Sequence, residues 1–198
     1  MDKVFLNILE WVGQSPRRLV MLLAILLMLG AAWFVYTEKD TFMASYRAQQ
    51  QLPHMNGKYT EATDFIFKHS DAELVAIFEV NTLLNTRKLV YLVTRGGGHN
   101  KDYDGYDVGM LTKNYANNND VISLMSGKVP CSEYPAAQSF LGFVYKESGV
   151  NYMCRISVPA EAGLFIGQIS VGWKDTPKDI DAVIPVLNVA SSILYKAK

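Results

Sequence analysis

The sequence predicts an α+β protein in which one N-terminal transmembrane helix precedes a globular domain with a mostly antiparallel sheet flanked by helices. An uncharged apolar block from Leu19 to Tyr36 predicts the transmembrane helix. After this block, apolar residues recur first at helical spacing and then in short β-branched runs, which predicts strands framed by helices. Without its first forty or so residues the chain keeps about 150, enough for one domain with its own core.

The apolar block is long enough to cross a bilayer. As a helix its roughly 18 residues would reach about 27 Å, close to the thickness of the hydrocarbon core. A core helix of a soluble domain would show a polar face, and this block has none. A cleaved signal peptide is the other alternative, because Gly30, Ala31 and Ala32 resemble a cleavage site. We predict a retained span, because the aromatic residues that follow suit a membrane–water interface.

Charges on either side of the block predict its orientation. Arg17 and Arg18 lie directly before it, whereas residues 38–40 after it include two acidic residues and one lysine. Because Lys and Arg concentrate on the cytoplasmic side of a span, we predict a cytoplasmic N-terminus and a domain on the far side of the cytoplasmic membrane.

Four segments follow from these assignments. We predict a short cytoplasmic amphipathic segment at 1–16, the transmembrane helix at 17–37, a stalk helix and linker at 38–58, and the α+β domain at 59–198. In the first segment apolar residues at helical spacing alternate with polar ones, which fits either a helix lying on the inner leaflet or a frayed tail before the span.

Within the domain, apolar patterning predicts a helix over 61–68 and an antiparallel hairpin formed by 73–80 and 88–94. Further strands are predicted at 139–145, 151–158 and 163–173. The last helix is predicted to begin with Thr176 as its N-cap and with Asp179 as the reciprocal residue of a capping box. A kink is predicted at Pro185.

Cys131 and Cys154 are the two cysteines of the chain. In a reducing cytoplasm they would be incidental thiols, one buried in a strand and one in a loop. Outside the membrane a disulfide is expected instead, and one pair of cysteines allows one connectivity. The predicted topology therefore favours a bond between them.

Chemical motifs are weak. The balanced charge argues against nucleic-acid binding. The glycine run at 96–98 lacks the Lys and Ser/Thr of a phosphate loop, and Asp102, Asp104 and Asp107 lack the spacing of an EF-hand. The histidines share no ligand spacing, and no nucleophile elbow or carboxylate pair stands out. We predict no catalytic, cofactor or metal site, and a protein that is not an enzyme.

An ordered set of segments resembles the lysis holins of T-even bacteriophages, a family of large single-span holins with a periplasmic domain. The segments are VFLNILEWV, the span ending in WFVY, EKDTFMASY, HSDAELVAIFEVNTLLNTRKLVYLVTRGG, VNYMCRIS, GLFIGQISVGWKDTPKDID and the terminal ILYKAK. The resemblance covers most of the chain and is weakest between Gly98 and Phe140. In the family the cysteine comparable to Cys154 pairs with one in the final helix, which has none here, so the family implies a different or absent disulfide.

The resemblance implies a protein that accumulates in the host inner membrane, assembles there with itself into large lesions, and releases an endolysin to the cell wall. It also implies an antiholin that binds the periplasmic domain and delays lysis. Self-association in lipid needs close helix packing, for which Ala24, Met28, Gly30 and Ala31 are candidates. The alternative function is a membrane-anchored extracytoplasmic domain that binds a ligand or partner, as sensors do, although residues 1–16 are too short for a cytoplasmic output domain.

Overall fold

The computed structural model describes residues 15–51, 54–137 and 139–195. The chain divides into two compact units, Met1–Leu52 and Pro53–Lys198. The predicted amphipathic segment at 1–16 lies almost wholly outside the described residues.

The first unit is a single long helix, α1 (Pro16–Gln51). Proline at its first position suits a helix start, because the N–H that proline lacks would have no partner there. Within Pro16–Asp40, the most apolar stretch of 18 residues has a mean hydropathy of 2.5, and none of that stretch is buried within the chain. In the described part of the chain, α1 is the one helix that is long and apolar enough to cross a membrane.

The second unit is the predicted α+β domain. Its helices are α2 (Tyr59–His69), α3 (Tyr115–Met125), α4 (Phe140–Glu147) and α5 (Ile180–Leu194), with a short 3-10 turn at Lys101–Tyr103. Its strands are β1 (Leu74–Asn81), β2 (Thr86–Thr94), β3 (Cys131–Glu133), β4 (Tyr152–Val158) and β5 (Gly167–Trp173). They form one five-stranded sheet in the order β2-β1-β5-β4-β3, in which every neighbouring pair is antiparallel. The predicted fold class is confirmed.

The main core lies on one face of the sheet, beneath α2 and α5. Ile66 of α2 and Leu187 of α5 are fully buried there against Ile169 and Val171 of β5. Successive side chains of a strand point to opposite faces of the sheet, so every second residue of β4 and β5 lies on this face. The residues between them lie on the opposite face. A second, smaller cluster on that face contains Leu89, Leu141 and other residues of β1, β2 and α4.

One predicted strand is a helix. Residues 139–145, predicted as a strand, belong mostly to α4, and the Ser139 hydroxyl caps this helix by accepting a hydrogen bond from the Gly142 N–H. A short apolar run fits a strand and a buried helix equally well by periodicity, and here the serine cap decides for the helix. The prediction also omitted α3, whose first turns are too polar to show an apolar face, and the short strand β3.

The last helix begins later than predicted. Asp179, rather than Thr176, is the N-cap of α5, and its carboxylate accepts a hydrogen bond of 3.0 Å from the Ala182 N–H. An aspartate cap satisfies a free N–H and adds negative charge at the positive end of the helix. Pro185 lies inside α5, and its kink stays a prediction.

Cys131 and Cys154 form a disulfide that joins β3 to β4, where they are directly paired across the two strands. The predicted pairing is therefore present in the structure, and it differs from the family pattern, in which the partner cysteine lies in the final helix. The bond attaches the short edge strand to the core, because Cys154 is fully buried on the main core face.

Candidate ligand-binding cleft

A cleft of about 280 Å³ lies on the sheet face opposite α2 and α5. The sheet forms its floor, α3 and α4 its walls, and the loop after β2 one rim. Its lining residues are Phe78, Arg87, Val108, Thr112, Asn114, Asn117, Asp120, Tyr134, Ser139, Leu141, Tyr145, Met153, Arg155, Gln168 and Ser170. This volume is just below the range of about 300–1,000 Å³ that is typical of small-molecule sites.

The floor of the cleft is unusually polar for a buried sheet face. Arg155 and Ser157 of β4 and Gln168 and Ser170 of β5 alternate with core residues, so they share the cleft side of the sheet. Three of the four are almost completely buried. Burying a polar group costs free energy unless it has a hydrogen-bond partner. The hydrogen bonds of these residues therefore indicate which groups of the cleft are available to a ligand.

Arg87 of β2 is the most deeply placed charge in the cleft, with 6% of its surface exposed. Its Nη1 donates a hydrogen bond of 2.8 Å to Gln168 Oε1, and its Nη2 donates to Asn117 Oδ1. Its Nε is buried and has no hydrogen-bond partner among the described residues. Within the described ranges, the Arg87 guanidinium is thus held by neutral amide oxygens and forms no ion pair, although the charges of Asp120 and Asp107 lie close enough to favour its charged form.

Arg155 carries the second positive charge. Its Nη1 lies 3.0 Å from Asp120 Oδ2 of α3 in an ion pair, although the angle is not that of a hydrogen bond. Asp120 is the one acidic side chain of the lining, against two arginines. The cleft therefore has one positive charge in excess.

Burial changes the titration of two cleft residues. Removal from water lowers the pKa of Arg87 to about 10, with a smaller contribution from the nearby charge of Arg155. Arg87 still carries its charge at neutral pH. Burial also raises the pKa of Tyr145 well above its ordinary value, against the opposing effect of the two arginines. Tyr145 is therefore a neutral phenol in the cleft.

Local contacts fix the position of Arg87 and its partner Asn117. The Asp107 carboxylate accepts hydrogen bonds from the backbone N–H groups of Arg87 and Gly109, at 3.0 and 2.8 Å. Burial tends to raise the pKa of Asp107, but these two bonds and nearby positive charge lower it overall. Asn117 Nδ2 donates to the Met110 carbonyl at 3.1 Å, which turns its oxygen toward Arg87.

The loop residues considered as metal or phosphate ligands have other contacts. Asp104 Oδ1 lies 2.8 Å from His99 Nε2, and Asp107 holds the β2 backbone. Asp102 contributes its N–H to the Asn100 side chain. Within the described ranges, no group of three or more His, Cys, Asp or Glu side chains could hold a metal ion.

The residues predicted in the membrane lie as expected along α1. Ala24, Met28 and Ala31 share one face of the helix, because residues four and three positions apart lie above one another. Gly30 has no heavy atom within 4 Å of the place where a Cβ would stand. Residues 24, 28, 30 and 31 are all exposed within the chain. Helix packing through this face, and the role of Arg17 and Arg18 in orientation, stay predictions.

The cleft was not predicted from the sequence. Alternating polar residues such as Gln168 and Ser170 normally indicate a strand face in water. This face is covered because α3 and α4 pack over it, and one of these helices was omitted and the other predicted as a strand. The available signal was the arginine in the apolar strand TRKLVYLVT.

Comparison with protein-family models finds no match, and comparison with curated proteins finds none either. Solved structures do match. The GAF domain of a two-component sensor histidine kinase from Bacillus halodurans superimposes with a TM-score of 0.50 at 13% identity, over 67% of this chain and 84% of that one. The domain has the GAF fold. A far-red cyanobacteriochrome photoreceptor also matches, with a TM-score of 0.49 at 11% identity, over 80% of this chain and 94% of that one.

Proposed function

We propose that this chain is a single-span membrane protein whose GAF-fold domain lies outside the cytoplasm and binds a ligand in the cleft between the sheet, α3 and α4. The observation that carries this proposal is the cleft itself, a concave site whose buried polar groups converge on one sheet face. Pockets of this kind, with few polar groups in apolar walls, are the usual form of small-molecule sites. The apolar helix α1 and the disulfide support the membrane anchor and the oxidising compartment.

The test is to block the cleft. Val108 lines it and is half-buried, so Val108→Trp would fill the space with an indole. Val189 is exposed on α5, on the opposite side of the sheet, and Val189→Trp is the matched control. In native mass spectrometry of the full chain released from detergent, we expect a small bound molecule on the wild type and on the control. We expect none on Val108→Trp.

Two results would contradict the binding proposal. One is a wild-type chain that carries no small molecule and acquires none from a host-cell metabolite extract. The other is a Val108→Trp chain that folds and keeps the bound mass.

A second candidate function is that of a phage holin whose outer domain is regulated by an antiholin. The ordered resemblance to T-even holins favours it, from VFLNILEWV to ILYKAK. An uncharged span whose side chains are exposed along its whole length also offers surface for self-association in the membrane. Both proposals include the membrane anchor and an outer domain that binds another molecule. They differ in whether the transmembrane helix itself opens the membrane.

The holin candidate predicts sudden lysis. When the full chain is expressed in a Gram-negative host together with a cytoplasmic endolysin, we expect growth followed by abrupt, timed lysis. An energy poison added earlier should advance the lysis. Continued growth with the protein present in the membrane would exclude the holin function and leave the ligand-binding function.

A further inference from the structure

We infer that the cleft selects a small organic anion, one that presents a carboxylate or phosphate group to Arg87 and an apolar part to the wall beside it. This inference rests on the proposed binding function and adds the chemistry of the ligand. Arg87 is its centre.

The two arginines of the cleft differ in their charged partners. A buried arginine is normally paired with a carboxylate, because an isolated charge in the protein interior is costly. Arg155 has such a partner in Asp120, at 3.0 Å. Among the described residues, the Arg87 guanidinium contacts the amide oxygens of Gln168 and Asn117, whereas Asp107 and Asp120 favour its charge without an ion pair to it. Arg87 is therefore the arginine of the cleft lining that has no carboxylate contact, and an anionic ligand would supply one.

Arg87 also has hydrogen-bond donors that the described part of the protein does not use. A guanidinium has five N–H groups in a planar fork and binds carboxylate or phosphate oxygens in pairs. Arg87 Nε is buried without a partner among the described residues. Arg155 Nη1, on the same sheet face, has an ion pair but no well-angled hydrogen bond. The bonds to Gln168 and Asn117 use two of the five N–H groups of Arg87, so donors remain on its guanidinium for the oxygens of an anion.

The wall of the cleft beside Arg87 is apolar. Phe78, Leu141 and Met153 line the same cleft, and all three are buried members of the apolar cluster on this face. The Arg87 guanidinium lies 5.8 Å from the centre of the Phe78 ring. A ligand that combined an anionic head with an apolar body would contact both parts, whereas a free inorganic ion would contact only the arginines.

The experiment uses three probes against the full chain in detergent micelles, with binding measured by isothermal titration calorimetry. Benzoate has an anionic head and an apolar ring, benzamide has the same shape without the charge, and inorganic phosphate has the charge without the ring. We expect benzoate to bind at least ten-fold more tightly than benzamide, and more tightly than phosphate. Phosphate binding as tightly as benzoate would reject the apolar part of the inference.

Arg87→Gln is the informative variant, and we expect it to weaken benzoate binding at least ten-fold and to leave benzamide unchanged. Lys88→Gln is the matched control: it removes the same charge from an exposed position one residue along β2, and it should keep wild-type affinity. If Arg87→Gln does not fold, the comparison of benzoate with benzamide on the wild type still shows whether the cleft selects an anion.

Failure of this inference can be told apart from failure of the proposed function. Benzamide binding as tightly as benzoate, with loss of both in Val108→Trp, would mean a cleft that binds ligands without selecting anions. Full benzoate affinity in a folded Arg87→Gln would likewise reject the role of Arg87. No binding of any probe would overturn the inference, and native mass spectrometry would then decide whether the cleft binds anything.

Discussion

Removing the disulfide is expected to destabilise the α+β domain by about 3 kcal/mol. Cys131 and Cys154 are 23 residues apart in sequence. In the chain-entropy model, a crosslink that closes a loop of this size lowers the entropy of the unfolded chain by an amount equivalent to roughly 3 kcal/mol. We expect the variant Cys131→Ser with Cys154→Ala to lose this contribution. Alanine is chosen at 154 because that position is fully buried, where a serine hydroxyl would lack a partner.

The measurement is urea unfolding of the full chain in detergent, followed by near-ultraviolet circular dichroism. A reductant should lower the midpoint of the wild type by a comparable amount and leave the double variant unchanged, which separates loss of the bond from the substitutions themselves. Equal midpoints for wild type and variant under oxidising conditions would contradict a stabilising role for the bond.

The second large effect is expected from charge in the span. Leu23 and Leu26 lie near the middle of the apolar stretch of α1, and both are exposed within the chain. On insertion scales an arginine at the centre of a span costs roughly 2.5–3.5 kcal/mol, while a leucine contributes a few tenths favourably. The double variant Leu23→Arg with Leu26→Arg should therefore fail to insert, because two arginines cost more than the remaining leucines can offset.

The readout is the membrane fraction after carbonate extraction, together with the redox state of the cysteines. We expect the arginine variant in the soluble or aggregated fraction with free thiols, because its domain would stay in the reducing cytoplasm. Leu23→Val with Leu26→Val is the control and should behave as wild type. An arginine variant that remains integral in the membrane with its disulfide formed would contradict the assignment of α1 as the anchor.

Much of the fold could be predicted from local patterns. The hairpin of β1 and β2, the strand β4 and the final helix follow from apolar alternation and periodicity within short windows, and the structure has them within a few residues. The disulfide followed from compartment and from the presence of a single cysteine pair. The prediction of a strand at 139–145 was wrong because a short apolar run fits both periods. In the structure most of these residues form α4, where Ser139 accepts the capping hydrogen bond from Gly142 and Leu141 and Tyr145 are buried.

The cleft could not be predicted in the same way, because its contacts are distant in sequence. Arg87 and Gln168, which form its central hydrogen bond, are separated by 81 residues. They lie on β2 and β5, on either side of β1 in the sheet, so no local pattern relates them. The polar residues of β5 became buried only through α3 and α4. A polar strand face is ambiguous between a surface and a site until the elements above it are known.

We propose above that one uncharged helix holds a disulfide-bonded binding domain outside the cytoplasm. Reporter fusions after Lys198 test it most directly, with alkaline phosphatase, which is active only after export, and a green fluorescent protein that fluoresces only in the cytoplasm. We predict active phosphatase and a dark fluorescent fusion, both in the membrane fraction. An inactive phosphatase with a bright fluorescent fusion would place the domain in the cytoplasm and contradict the account.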